Sequence, residues 1–171
     1  MHLLVALALA SATTLQAQAP DFSGTWRLDE TRSQVVATAG IAGLIPAGAP
    51  KPLHVTQPAN GSVVIESQVN EAHVRIYRPG RETSTPAGQG GAVTMLSKWD
   101  GKSLASEGTV KAPNGDTNSV REVLSLSADG KTLTMAVTTT TPAGKASSTL
   151  IYSKITDVGP CETWPTPCKR Q

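Results

Sequence analysis

The chain has 171 residues, with 15 Lys and Arg against 13 Asp and Glu; the formal charge is +2 and the basic residues are scattered, which excludes a patch built for nucleic acid or an anionic membrane. Aromatic residues are scarce, with one Phe, two Tyr and three Trp, so an interior must be built mainly from Val, Leu, Ile, Met and Ala, and few rings are available to fill a wide one. From Leu3 to Ala12 every residue except Ser11 is apolar, and none is charged; Ala17-Gln18-Ala19 then supplies an A-x-A cleavage site. This stretch is too short to span a bilayer stably, so residues 1–19 are expected to be a cleaved signal peptide, with a cut after Ala17 as the alternative because Pro20 is a poor residue just after a cut. The first cysteine is Cys161, so no lipidation cysteine follows the signal, and a secreted or periplasmic product without stable membrane insertion is expected. About 150 mature residues make one domain, residues 20–158, large enough for a single core.

The first predicted strand runs from Gly24 to Asp29. Val36 to Pro52 follows, a run of Ala, Gly and Pro with a few aliphatics, read either as a disordered insertion or as an apolar lid in which Ile41, Leu44 and Ile45 shield a ligand. From Leu53 onward the chain alternates β-rich runs of period two with turns made of Gly and Asn, Asp, Pro or Ala. The runs are Leu53 to Gln57, Ser62 to Val69, Ala72 to Arg78, Ala92 to Trp99, Lys102 to Val110, Asn118 to Ser127, Lys131 to Thr140 and Ser147 to Ile155. The turns between and within them are Asn60-Gly61, Pro79-Gly80, Asp100-Gly101, Asn114-Gly115, Asp129-Gly130 and Ala143-Gly144, where a positive φ costs little. Closely spaced hairpins with no helical stripe predict an all-β fold. The form expected is an antiparallel up-and-down barrel of eight to ten strands, since closure removes exposed edges. An immunoglobulin-like sandwich is disfavoured because both cysteines lie together at the end of the chain.

The first strand, Asp21-Phe22-Ser23-Gly24-Thr25-Trp26-Arg27-Leu28-Asp29, followed by Arg32-Ser33, resembles the opening strand of bacterial secreted lipocalin-like proteins of the calycin type. Lys98-Trp99-Asp100-Gly101-Lys102-Ser103-Leu104, Leu126-Ser127-Ala128-Asp129-Gly130-Lys131-Thr132-Leu133-Thr134 and Leu150-Ile151-Tyr152-Ser153-Lys154 are similar to that family's recurring pieces, in order. The resemblance implies a barrel closed at one end by the Gly24-x-Trp26 indole, with Lys154 from the last strand packed across it in place of the family's Arg.

If Trp26 and Leu28 point inward, alternation puts Val63 and Ile65, Val74 and Ile76, Met95 and Trp99, Leu124 and Leu126, Leu133, Met135 and Val137, then Leu150 and Tyr152 on the lining. Ile65, Ile76, Met95, Trp99, Leu124, Met135 and Tyr152 are therefore the candidate ligand contacts, and the same side chains filling a narrow barrel are the alternative. Glu122 shares a face with Val120, Leu124 and Leu126. It is read as turned outward by a twist or bulge, the other option being a buried carboxylate partnered by Lys154 or an arginine, or else serving as a polar anchor for ligand. His73, Arg75 and Tyr77 alternate with Val74 and Ile76 and are read as an exposed polar face. The Arg-x-Tyr pair resembles the carboxylate clamp of intracellular fatty-acid-binding barrels, where it lies on the last strand instead of mid-chain.

His54 and His73 are the only mature histidines, and neither has a Cys or carboxylate at a metal-ligand spacing. With no nucleophile elbow or phosphate-cradling loop either, no catalytic residue, metal or cofactor is expected. In the tail, residues 159–171, Cys161 and Cys168 are expected to pair around a Pro-rich loop carrying Trp164, either as a staple or as a contact surface. The function expected is binding or sequestration of a small hydrophobic molecule, such as a fatty acid, isoprenoid or lipid fragment. Alternatives are a filled barrel acting as an interaction module and a barrel isomerase or cyclase; oligomeric state is left open.

Overall fold

The computed structural model describes residues 19–36, 52–68, 72–87, 91–111 and 114–156. The signal peptide through Gln18, the lid residues Ile41, Leu44 and Ile45, and the tail with Cys161, Trp164 and Cys168 lie outside the described residues. Ten strands are present: β1 (Gly24–Leu28), β2 (Leu53–Thr56), β3 (Val63–Gln68), β4 (Ala72–Tyr77), β5 (Glu82–Ala87), β6 (Gly91–Asp100), β7 (Ser103–Lys111), β8 (Thr117–Leu126), β9 (Thr132–Thr141) and β10 (Gly144–Thr156). All neighbours pair antiparallel in one sheet of order β4-β3-β2-β1-β10-β9-β8-β7-β6-β5. The first and last strands pair, so the sheet curls into a nearly closed barrel whose one lapse in the ladder falls between β4 and β5. There, Gly80 N–H donates to the Ser97 carbonyl at 2.7 Å beside a parallel bridge between Pro79 and Ser97. Among the described residues no helix is long and apolar enough to cross a membrane.

The hairpin grammar sets this architecture. At the reversals, Gly101 and Gly130 take φ of 57° and 68°, a region closed to β-branched residues. The Asp129 carboxylate ties its turn by accepting from Ser127 Oγ at 2.6 Å and Lys131 N–H at 3.0 Å. Gly108 inside β7 is a glycine for another reason: a Cβ there would stand 1.8 Å from the Thr94 carbonyl oxygen, so backbone approach excludes any side chain.

Nine of the ten strands coincide with predicted runs; β5 does not. Its sequence Glu-Thr-Ser-Thr-Pro-Ala carries no apolar alternation, and Pro86 argues against a strand. The position explains it, because β5 is an edge of the sheet, where the missing N–H breaks no ladder on the open side.

Alternation fills the interior. On β9, Leu133, Met135 and Val137 are buried while Thr132, Thr134, Ala136 and Thr138 are half-buried on the outer face. One hydrophobic cluster runs through the barrel and includes Val63, Ile65, Tyr77, Val93, Met95, Leu104, Val120, Leu124, Leu150 and Tyr152. At one end Phe22 stacks on Trp99 with centroids 5.9 Å apart, and Trp26 Nε1–H donates to the Phe22 carbonyl at 2.9 Å. The Lys154 ammonium stands 5.2 Å from the Trp26 ring centroid, a contact of about 0.5–2 kcal/mol, less than the burial of the indole itself.

On β3 alternation places Val63 and Ile65 inward as expected, but the opposite face is covered as well. Val63 and Ile65 are buried, but so are Val64 and Glu66 on the opposite face, and all four residues of β2 are buried. Both faces of these strands are covered, so the polar His54, Thr56 and Glu66 are buried along with the apolar side chains.

Candidate functional site

The register of β3 with β4 decides which side chains enter the barrel. Val63 pairs with Tyr77 and Ile65 with Arg75, so Tyr77 and Arg75 share the inner face of those buried residues. Val74 and Ile76 fall on the outer face, half-buried. The expected orientation of β4 is thus inverted: Ile76 is not on the lining, and Arg75 and Tyr77 are not an exposed polar face. Two apolar residues alternating with two polar ones look identical in sequence whichever pair is inside, and only the pairing partner settles the matter.

Glu122, on β8, also points inward and not outward, with a side chain 1% exposed. It stands opposite Ser106 on β7 and Val137 on β9, in unbroken register, so no bulge turns it away. Its partner is Arg75, one of the two kinds of partner expected for a buried carboxylate. Arg75 Nη1–H donates to Glu122 Oε1 at 2.8 Å, and the Tyr77 hydroxyl donates to Oε2 at 2.6 Å. Arg75 Nη1 also approaches the Tyr77 oxygen at 3.3 Å. Because β4 and β8 are not neighbours in the sheet, these bonds cross the lumen.

Burial disfavours the charged form of each group, and the cluster resists it. For Arg75, burial pulls toward deprotonation, yet Tyr77 and Glu122 outweigh it and raise the guanidinium above its ordinary value. Burial pushes the Tyr77 phenol well up, and the Glu122 charge adds to that despite Arg75. Tyr152, fully buried on β10, is raised too, first by burial and then by Glu122. Its hydroxyl has no hydrogen-bond partner, although a buried hydroxyl ordinarily finds one. Ser97 and Ser106, both buried, share a hydrogen bond of 2.8 Å, and Ser106 faces Glu122 across the ladder, extending a polar row from β6 to β8.

Around this row the lining is aliphatic. Of the candidate ligand contacts, Ile65, Met95, Leu124, Met135 and Tyr152 join the core cluster, while Trp99 packs against it where it stacks on Phe22. Side chains fill this region: Leu124, Leu133, Val137 and Leu150 are at most 1% exposed. At the β4–β5 lapse lies a narrow crevice, too tight for a free water, lined by Arg75, Ile76, Tyr77, Thr83, Val93 and Met95. It lies beside the charged cluster. Trp26 and Lys154 sit together at the end where Phe22 stacks on Trp99, with Gly24 on the same strand as Trp26, and His73 lies on β4, its side chain outside the described residues. Among the described residues no three of His, Cys, Asp and Glu converge as metal ligands.

No protein-family model matches the sequence, and no curated protein matches it. Solved structures do match its fold. A fatty acid transporter termed REP1-NXSQ is 15% identical with a TM-score of 0.58, covering 78% of this chain and 96% of its own. Fatty-acid-binding protein 1 of Echinococcus granulosus is 16% identical with a TM-score of 0.54 and covers 78% of this chain and 97% of its own. Zebrafish ileal bile acid-binding protein, complexed with cholic acid, is 15% identical with a TM-score of 0.54 over 78% and 98% of the two chains. At these identities the likeness is one of fold: the chain shares the antiparallel barrel shape of these proteins.

Proposed function

We propose that the protein is an exported carrier that sequesters a small hydrophobic molecule inside its barrel. The observation that carries this reading is the Arg75–Tyr77–Glu122 cluster, a charged group set across the lumen of a largely apolar interior. Desolvating an ion pair costs more than filling the same space with aliphatic side chains, so a barrel that only had to fold gains little from it. A few polar groups converging in an apolar chamber are the usual makeup of a small-molecule site. Support from the fold comes from neighbours that include a fatty acid transporter, a fatty-acid-binding protein and a bile acid-binding protein. A ten-stranded barrel is also wider than the eight-stranded size that side chains alone fill readily.

Binding would stabilise by removing ligand surface from water, about 25 cal/mol per Å² of apolar area before the costs of association. Export rests on the apolar stretch before Ala17-Gln18-Ala19 and is checked by N-terminal sequencing of protein recovered from the medium or periplasm. The filled-barrel interaction module is the second reading, favoured by the close packing around Leu124, Leu133, Val137 and Leu150. On the carrier reading, those side chains shift when ligand enters through the β4–β5 lapse. Native mass spectrometry of the purified chain, followed by organic extraction, separates the two. Added small-molecule mass that solvent removes is expected for the carrier; a bare chain that also fails to take up any lipid offered would leave the module.

A further inference from the structure

We propose that the barrel selects uncharged amphiphiles, molecules with an aliphatic body and one neutral oxygen function such as an alcohol, aldehyde or ester, and discriminates against carboxylates. This rests on the carrier reading above and names its ligand class. The argument starts from the charges that face the lumen. The cation that an anionic head group would seek, Arg75, already holds Glu122 Oε1 at 2.8 Å, and Tyr77 spends its hydroxyl on Oε2 at 2.6 Å. Both oxygens of Glu122 are therefore occupied, and the pair is neutral as a unit.

A ligand carboxylate would have two routes. It could displace Glu122 from Arg75, which leaves a 1%-exposed carboxylate without its counter-ion. Or it could lie beside the intact pair, whose charges cancel, and give up its hydration with no net attraction in return. Both disfavour an anion. A neutral oxygen meets neither cost.

What remains for a head group is the Tyr152 hydroxyl, fully buried and without a partner. Burial and the nearby Glu122 charge keep its proton in place, so it acts as a donor and accepts no anionic role. An alcohol, carbonyl or ester oxygen would satisfy it, restoring a bond whose absence is costly in a dry interior. Leu124, Leu133, Met135 and Leu150 supply the apolar wall for the chain behind that oxygen.

The test uses the purified full chain, stripped of lipid and titrated at neutral pH with dodecanol and with laurate, following tryptophan fluorescence. Dodecanol is expected to bind roughly tenfold or more tightly than laurate, the size of one buried hydrogen bond to a neutral head group. Tyr152→Phe is expected to weaken dodecanol by about tenfold and leave laurate unchanged. Glu122→Gln frees the Arg75 charge and is expected to raise laurate affinity about tenfold, reversing the preference. Should that variant fail to fold, Tyr152→Phe, which removes an unsatisfied group, carries the test alone. Laurate binding as tightly as dodecanol, or a Tyr152→Phe variant with unaltered dodecanol affinity, overturns the selectivity while leaving the carrier standing. Binding of neither probe, with no other lipid taken up, overturns both.

Discussion

Single side chains in this barrel are asked to do opposite things, and substitutions should separate them. Glu122→Ala strands the Arg75 cation in the interior, and a loss of about 3–5 kcal/mol in urea unfolding is expected, since removing one partner of a buried pair leaves the other uncompensated. Tyr152→Phe should act in the other direction. Its hydroxyl is buried without a partner, so deleting it is expected to raise ligand-free stability by about 1–2 kcal/mol. A destabilised Tyr152→Phe would mean that the hydroxyl is bonded after all. Stability given up at Tyr152 in the empty protein is the pattern of a group kept for something other than folding. The sequence places Tyr152 on the lining but gives a buried Glu122 paired with an arginine only as the alternative. Glu122 sits among Val120 and Leu124, where a carboxylate reads as an anomaly to be turned outward, and its partner is 47 positions away on a strand whose two faces look alike in sequence.

At the level of strands and turns the sequence is far more transparent, because the turn chemistry is local. Asp129-Gly130 announces a reversal whatever the rest of the chain does. The edge strand β5 is invisible for the complementary reason: Glu82–Ala87 needs no apolar face and tolerates Pro86, so its only signature is its place at the β4–β5 lapse. Inner and outer faces are legible on β9, where threonines mark the wet side, and on β3, but not on β4, where the polar Arg75 and Tyr77 take the inner face. Two glycines test this level. Gly108→Ala places a Cβ against the Thr94 carbonyl and is expected to cost ~3 kcal/mol or more by thermal unfolding. Gly130→Ala has open space but a φ of 68°, and a loss of only about 1–2 kcal/mol is expected. Equal costs at the two positions would contradict the close backbone approach at β7.

The molecule as a whole hides both of its tyrosines. Tyr77 and Tyr152 account for every tyrosine in the chain, and both phenols are raised above 10.0, each chiefly by burial. In the unfolded chain they ionise near pH 10. Their contribution to stability is therefore whole below about pH 10 and is lost as pH rises beyond it toward the folded values, because the unfolded state releases protons first. An ultraviolet titration is expected to show no tyrosinate at pH ~10.5 while circular dichroism is native, and then to show both phenols ionising together with unfolding. One phenol titrating near pH 10 in the folded protein would contradict the closed interior. That interior is also where the carrier reading is decided. Met95 and Met135 line it from β6 and β9, at 3% and 5% exposure. The most direct test is therefore a titration of the methyl-¹³C-methionine-labelled protein with a saturating apolar amphiphile, read by nuclear magnetic resonance. Shifts at both methyls that saturate at one ligand per chain are expected; methyl signals that stay fixed while a ligand demonstrably binds would place it on the outer surface and contradict sequestration in the barrel.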